Sequence, residues 1–167
     1  MARPQEIQCY EYVNHPYDKV REALRANAGR AFERATKGAA TRASDLAANL
    51  RVKLGGLEVG ADIAIRVESV TEGQLPRGAG GTPVTRIKLT WKATKSPALF
   101  PSMDAELSVY PLTGTETQLD LHGRYKLPLG ALGGAIDAIV GHRIAQASVR
   151  RLLEDVATHL KEELAAT

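Results

Sequence analysis

The chain has 167 residues, 44% of them apolar and 25% charged, with a formal net charge of +3 from 22 basic and 19 acidic side chains. That size fits one domain, residues 1–167, with a real hydrophobic core; 15 Gly and 8 Pro suffice for turns but are too few for a disordered or collagen-like chain. A single cysteine, Cys9, excludes an intrachain disulfide scaffold and a Cys-rich metal centre, and the small, dispersed basic excess gives no footing for nucleic acid.

The first six residues lack the apolar run of a signal peptide. No stretch approaches 18 consecutive apolar residues, so integral membrane association is not expected and a reducing, cytoplasmic setting is. Residues 6–13 read as a strand, with Ile7, Cys9, Glu11 and Val13 on one side and Tyr10 and Tyr12 on the other. Asn14-His15-Pro16 breaks it, with Asn14 as a candidate helix cap and Pro16 in the first turn. Val20 and Leu24, four apart, mark a helix over residues 17–28, and the Ala-rich stretch 30–48 predicts a second short helix and a loop.

Period-2 alternation then takes over. Leu50, Val52 and Leu54 precede a Gly55-Gly56 turn, and Leu57 to Val67 alternate against Glu58, Asp62, Arg66 and Glu68, with Gly60 as the expected bulge. Residues 71–83, rich in Gly and Pro, predict a flexible turn. Gly78-Ala79-Gly80-Gly81 lacks the lysine and the strand–loop–helix context of a phosphate loop, so it reads as a hairpin turn. Three further strands follow, carrying Ile87, Leu89, Trp91 and Ala93; then Ala105, Leu107 and Val109; then Leu119, Leu121, Gly123 and Tyr125. A bend between Pro97 and Pro101 holds Phe100, and Pro111 to Gly114 turns the chain.

The period changes again at the end. Residues 129–164 read as one long helix. Ile136, Ile139 and Val140 form one apolar stripe; Val149, Leu153, Val156, Leu160 and Leu164 form another, rotated by roughly 100° at 100° per residue. Either the helix is covered by different surfaces along its length, or it breaks near Gly141. The order is strand, two helices, about five antiparallel strands and a long helix: an α+β domain in which one curved sheet is covered by one helix.

That order resembles the helix-grip fold of the START-like, Bet v 1-like (SRPBCC) superfamily, which includes polyketide cyclase/dehydrase-like and lipid-transport proteins. Residues 7–20 look like its first strand running into a helix, with Pro16 before the helix and Val20 in it. Residues 123–130 and the Gly133-Gly134 entry into the last helix are similar to its closing segment. The resemblance covers nearly the whole chain and rests on architecture. It implies a cavity between sheet and C-terminal helix for an apolar or amphipathic ligand, with no universal catalytic motif to carry over and no cofactor.

Within that frame Trp91, Leu107, Leu121 and Tyr125 share the inward phase, Phe100 sits at a mouth or plugs the core, and Ile136 and Val140 come from the helix. These seven are the expected ligand-binding residues. Trp91 serves either the core or a ligand, and Tyr125 either places its hydroxyl at the cavity mouth or packs with it exposed. Glu11 is the carboxylate of interest: if the Ile7–Cys9 side faces inward, desolvation suits it to acid–base work, and if Tyr10 and Tyr12 face inward, it is simply exposed. His122 is expected to point outward, and His142 is the better polar cavity candidate. The histidines show no metal spacing. Arg143, Arg150 and Arg151 read as a solvated helix face.

Three functions follow: binding or transport of a lipid-like molecule; a cyclase, aromatase or dehydratase using Glu11, Tyr125 and His142 as acid–base groups; or an interaction protein whose cavity has collapsed around Ala105, Gly123 and Ala145. The second apolar stripe leaves monomer and homodimer open. With only 2 Phe, 1 Trp and 5 Tyr, any cavity is expected to be mainly aliphatic.

Overall fold

The computed structural model describes residues 5–26, 63–76, 81–93, 102–126 and 138–166. The expected second helix, the strand and turn over residues 50–62, the Gly60 bulge and the bend containing Phe100 lie outside the described residues. So does Ile136.

β1 (Gln5–Val13) leads into a helix described over residues 17–26, here α1, and the chain continues through β2 (Ile63–Leu75), β3 (Thr82–Ala93), β4 (Ser102–Pro111), β5 (Thr117–Lys126) and α2 (Ala138–Ala165). The strands form one antiparallel sheet in the order β1-β5-β4-β3-β2. A long C-terminal helix lies along the β1–β5 side of that sheet. This is the helix-grip architecture expected from the order of elements.

Alternation decides which side of each strand is buried. Ile7, Cys9 and Val13 on β1, Ile87, Leu89 and Trp91 on β3, Met103, Ala105, Leu107 and Val109 on β4, and Leu119, Leu121 and Tyr125 on β5 all face the core. Register lines them up in cross-strand rows. One row is Gln5, Tyr125, Met103, Trp91 and Ile65; the next is Ile7, Gly123, Ala105, Leu89 and Val67; then Cys9, Leu121, Leu107, Ile87 and Val70; then Glu11, Leu119, Val109, Thr85 and Glu72. Ala145, Val149, Leu152, Leu153, Val156, Ala157 and Leu160 of α2, with Tyr17, Val20 and Leu24 of α1, complete the same apolar cluster.

Two local expectations are corrected. Residues 71–75 and 82–83 are strand, not flexible turn. Pro83 is tolerated there because the β3–β4 pairing begins at Thr85, so no neighbour on that side needs its missing N–H; Gly81, at φ 72°, takes the tight part of the turn. β2 also carries a bulge between Val67 and Ser69 that was not among the expectations. Pro16 rather than Asn14 holds the start of α1, since its carbonyl accepts the N–H of Val20 at 3.2 Å and that of Lys19 at 3.1 Å.

α2 runs unbroken through Gly141, so a break there does not explain its two stripes. Its second stripe is consumed inside the chain: Val149, Leu153, Val156 and Leu160 are buried in the common core, and Leu164 packs against it. Among the described residues no helix is long and apolar enough to cross a membrane.

Candidate functional site

The sharpest polar feature of the inner face lies where β5 ends and α2 begins. Tyr125 is the last inward residue of β5, in one row with Met103 and Trp91. Its side chain is fully buried, and its hydroxyl is hydrogen-bonded to Nδ1 of His142, in the second turn of α2. The two rings lie 5.8 Å apart, tilted by 35°. Burial pushes the Tyr125 hydroxyl above the usual tyrosine pKa, because the phenolate would be desolvated. The hydroxyl is therefore neither exposed nor free: it is one half of a buried pair with a half-buried imidazole.

Apolar side chains surround this pair on the sheet. Trp91 is 5% exposed and Met103 5%, two strands and one strand from Tyr125, so Trp91 lies about 10 Å across the sheet at the usual strand spacing. Leu107 and Leu121 face each other directly, two rows further on, and are completely enclosed. Trp91, Leu107, Leu121 and Tyr125 thus share one continuous apolar face. Val140 belongs to the first turn of α2.

Glu11 resolves differently from the pair. Tyr10 and Tyr12 point outward, 57% and 52% exposed, so Glu11 shares the inward phase of Ile7 and Cys9. It is nevertheless partly exposed, at a crevice of about 220 Å³ between β1 and α2 that Gln8, Cys9, Arg150, Leu153 and Glu154 also line. Burial raises the Cys9 thiol; Arg150 pulls it down and Glu154 pushes it up. Glu11 pairs with Leu119, six residues along β5 from Tyr125, or about 20 Å at the rise of a strand. The fold therefore joins Tyr125 to His142 and leaves Glu11 apart from both.

The remaining histidines fall as follows. His122 is outward, with Nε2 3.8 Å from Glu6. His15 lies in the β1–α1 turn, where its carbonyl accepts the Thr117 hydroxyl at 2.8 Å. His159 sits 3.3 Å from Glu163 on α2. Arg151 is neutralised by Asp155 at 3.1 Å, in keeping with a solvated helix face.

Sequence reading missed a second polar group on the inner face. The hydroxyls of Tyr17 and Thr85 hydrogen-bond at 2.7 Å, and Thr85 reaches Glu72 at 3.3 Å. Arg21 and Arg25 of α1 approach the same carboxylate at 4.0 and 3.8 Å. Thr85 was visible as a polar residue in the phase of Ile87 and Leu89; Glu72 was not, because the bulge brings it into the inner row. Met103 was also missed, although it continues the phase of Ala105 and Leu107.

No family model matches the chain, and no curated protein matches it. Several solved structures are similar to it over nearly their whole length. The ZhuI aromatase/cyclase from Streptomyces sp. R1128 is 13% identical, with 97% of this chain and 96% of that one covered and a TM-score of 0.49. Norcoclaurine synthase from Thalictrum flavum is 10% identical, with 98% of each chain covered and a TM-score of 0.48. A protein from Thermus thermophilus is 15% identical, with 98% and 99% covered and a TM-score of 0.45. The chain itself has a helix-grip fold, defined by its own element order and strand order.

Proposed function

We propose that the protein binds a hydrophobic small molecule between the inner face of the sheet and α2. The observation that carries this reading is the extent of the apolar face. α2 packs along β1 and β5, while the buried apolar rows continue past them through Met103 and Leu107 to Ile87, Leu89 and Trp91. Burial of an aliphatic ligand on such a face contributes about 25 cal/mol per Å² of apolar surface removed from water, and a few polar groups suffice to orient it. Trp91, Phe100, Leu107, Leu121, Tyr125, Ile136 and Val140 are the proposed contacts.

Native mass spectrometry after gentle purification tests the proposal. A retained small-molecule adduct, lost on denaturation, is the expected result. Trp91 is the single tryptophan, so its fluorescence reports titration with aliphatic probes. A consistently empty protein whose Trp91 emission ignores every probe overturns the reading.

The Tyr125–His142 pair favours a second reading, an acid–base enzyme of the cyclase or dehydratase kind. A hydroxyl bonded to an imidazole is able to pass a proton to and from a bound ketone. Glu11 has no part in this version, given its distance from the pair. Conversion of a poly-β-ketone analogue by the parent, lost in Tyr125→Phe and His142→Phe, would support it. The third reading, a collapsed cavity, draws on Gly123, where Met103 occupies the space above the glycine.

A further inference from the structure

Resting on the binding reading above, we infer that the site selects ligands carrying a hydrogen-bond acceptor, a ketone or carboxylate oxygen at one end of an aliphatic body, over ligands carrying an ammonium group. The argument starts from one proton. The Tyr125 side chain is fully enclosed, and among the described residues its hydroxyl has one hydrogen-bond partner, His142 Nδ1. A buried hydroxyl left without an acceptor loses its hydration with nothing in return. Its proton therefore goes to Nδ1, and Nδ1 must carry a lone pair.

A neutral imidazole whose Nδ1 accepts has its proton on Nε2. The raised pKa of the hydroxyl agrees, since it keeps the phenol protonated through neutral pH. Tyr125 thus fixes the tautomer of His142 and turns the far ring nitrogen into a donor. His142 is only half-buried, unlike Tyr125. Toward β3 the Tyr125 row offers only the weak thioether acceptor of Met103 and the indole N–H donor of Trp91, and the amide of Gln5, paired with Tyr125 on the β1 side, is exposed. The His142 Nε2 proton is the donor assigned to the polar end of the site, beside the apolar face of Met103 and Trp91. A ketone or carboxylate oxygen satisfies it; an ammonium group brings donors to a donor and leaves both unpaired.

Two measurements on the whole chain test this. Long-range 1H–15N correlation of the imidazoles, with His142→Phe assigning the signal, reads the tautomer in the unaltered protein at neutral pH. The expected pattern is protonated Nε2 with Nδ1 unprotonated, shifting toward an ordinary tautomer mixture in Tyr125→Phe. Titration of Trp91 fluorescence with dodecan-2-one, dodecane and dodecylamine reads the selectivity. Dodecan-2-one should bind roughly three- to tenfold tighter than dodecane, the worth of one neutral hydrogen bond, and dodecylamine weaker than both. His142→Phe should abolish the ketone-over-alkane ratio. Protonated Nδ1, or equal binding of ketone and alkane, overturns the inference and leaves the binding reading standing. Failure of all three probes to bind overturns the binding reading and this ligand class with it.

Discussion

Gly123 shows how a single residue shapes the inner face. It lies in a row between Ile7 and Ala105, and a β-carbon built there would meet Met103 Sδ at 2.7 Å, Met103 Cγ at 3.1 Å and Ile7 Cγ2 at 3.3 Å. The missing side chain is what lets the Met103 thioether lie against the sheet beside Tyr125. Methionine is flexible enough to move for one methyl group but not for a branched side chain. Gly123→Val should therefore lower unfolding free energy by about 1–3 kcal/mol, the usual cost of overpacking, while Gly123→Ala costs less. Urea unfolding of both variants checks the order.

The buried acids Cys9 and Tyr125 make a pH prediction at the same scale. Burial raises both above their ordinary values of 9.0 and 10.0. An acid whose folded pKa is raised holds its proton more tightly folded than unfolded. Its contribution to stability is fully present below the unfolded value and is lost as pH rises through the folded one. Unfolding free energy should decline with a steepening slope as pH approaches and passes 9.0, where the unfolded thiol is half ionised. Cys9→Ala and Tyr125→Phe should each flatten that slope, read from urea midpoints across the alkaline range.

Among the elements, α1 and β2 explain how much of the structure was legible. Strand phase, the inward set on β3, β4 and β5, and the final helix followed from periodicity, because burial of one face imposes alternation. The phase of Glu72 did not follow. Straight alternation from Val67 puts Ser69 and Thr71 inward; the extra residue at Glu68 reverses this and places Val70 opposite Ile87 and Glu72 opposite Thr85. A bulge leaves no reliable mark on one strand read alone, since register belongs to the pair. The Tyr125–His142 contact was likewise two separate candidates in the sequence, 17 residues apart, and only the return of α2 to the end of β5 joins them. The consequence for α1 is testable. Its Tyr17 hydroxyl is bonded to buried Thr85, so Tyr17→Phe should cost about 1–2 kcal/mol. A double-mutant cycle with Thr85→Val should return a coupling of about 1 kcal/mol, whereas independent packing of α1 would give none.

Over the whole molecule, the two faces of the sheet follow opposite rules. The outer face alternates charge across strands: Glu6 meets Arg124 at 3.6 Å, and Arg86 meets Glu106 at 3.6 Å. Such exposed pairs each stabilise by about 0–1 kcal/mol and largely cancel one another's field. Cohesion therefore rests on the inner face, and α2 is the element that closes it. Its 28 residues span about 42 Å, long enough for its later turns to pack with Val20 and Leu24 of α1 as well as with the sheet. That explains the stripe of Val149, Leu153, Val156 and Leu160: it serves this chain's own core rather than a second copy. Leu160 is completely enclosed, so Leu160→Ala should cost about 2–5 kcal/mol through lost burial and the cavity left behind. If the stripe were a dimer surface, the loss would be one of association, and the gap between variant and parent melting temperatures would change with protein concentration. An internal role predicts a gap that stays constant when thermal melts are repeated over a wide range of concentrations.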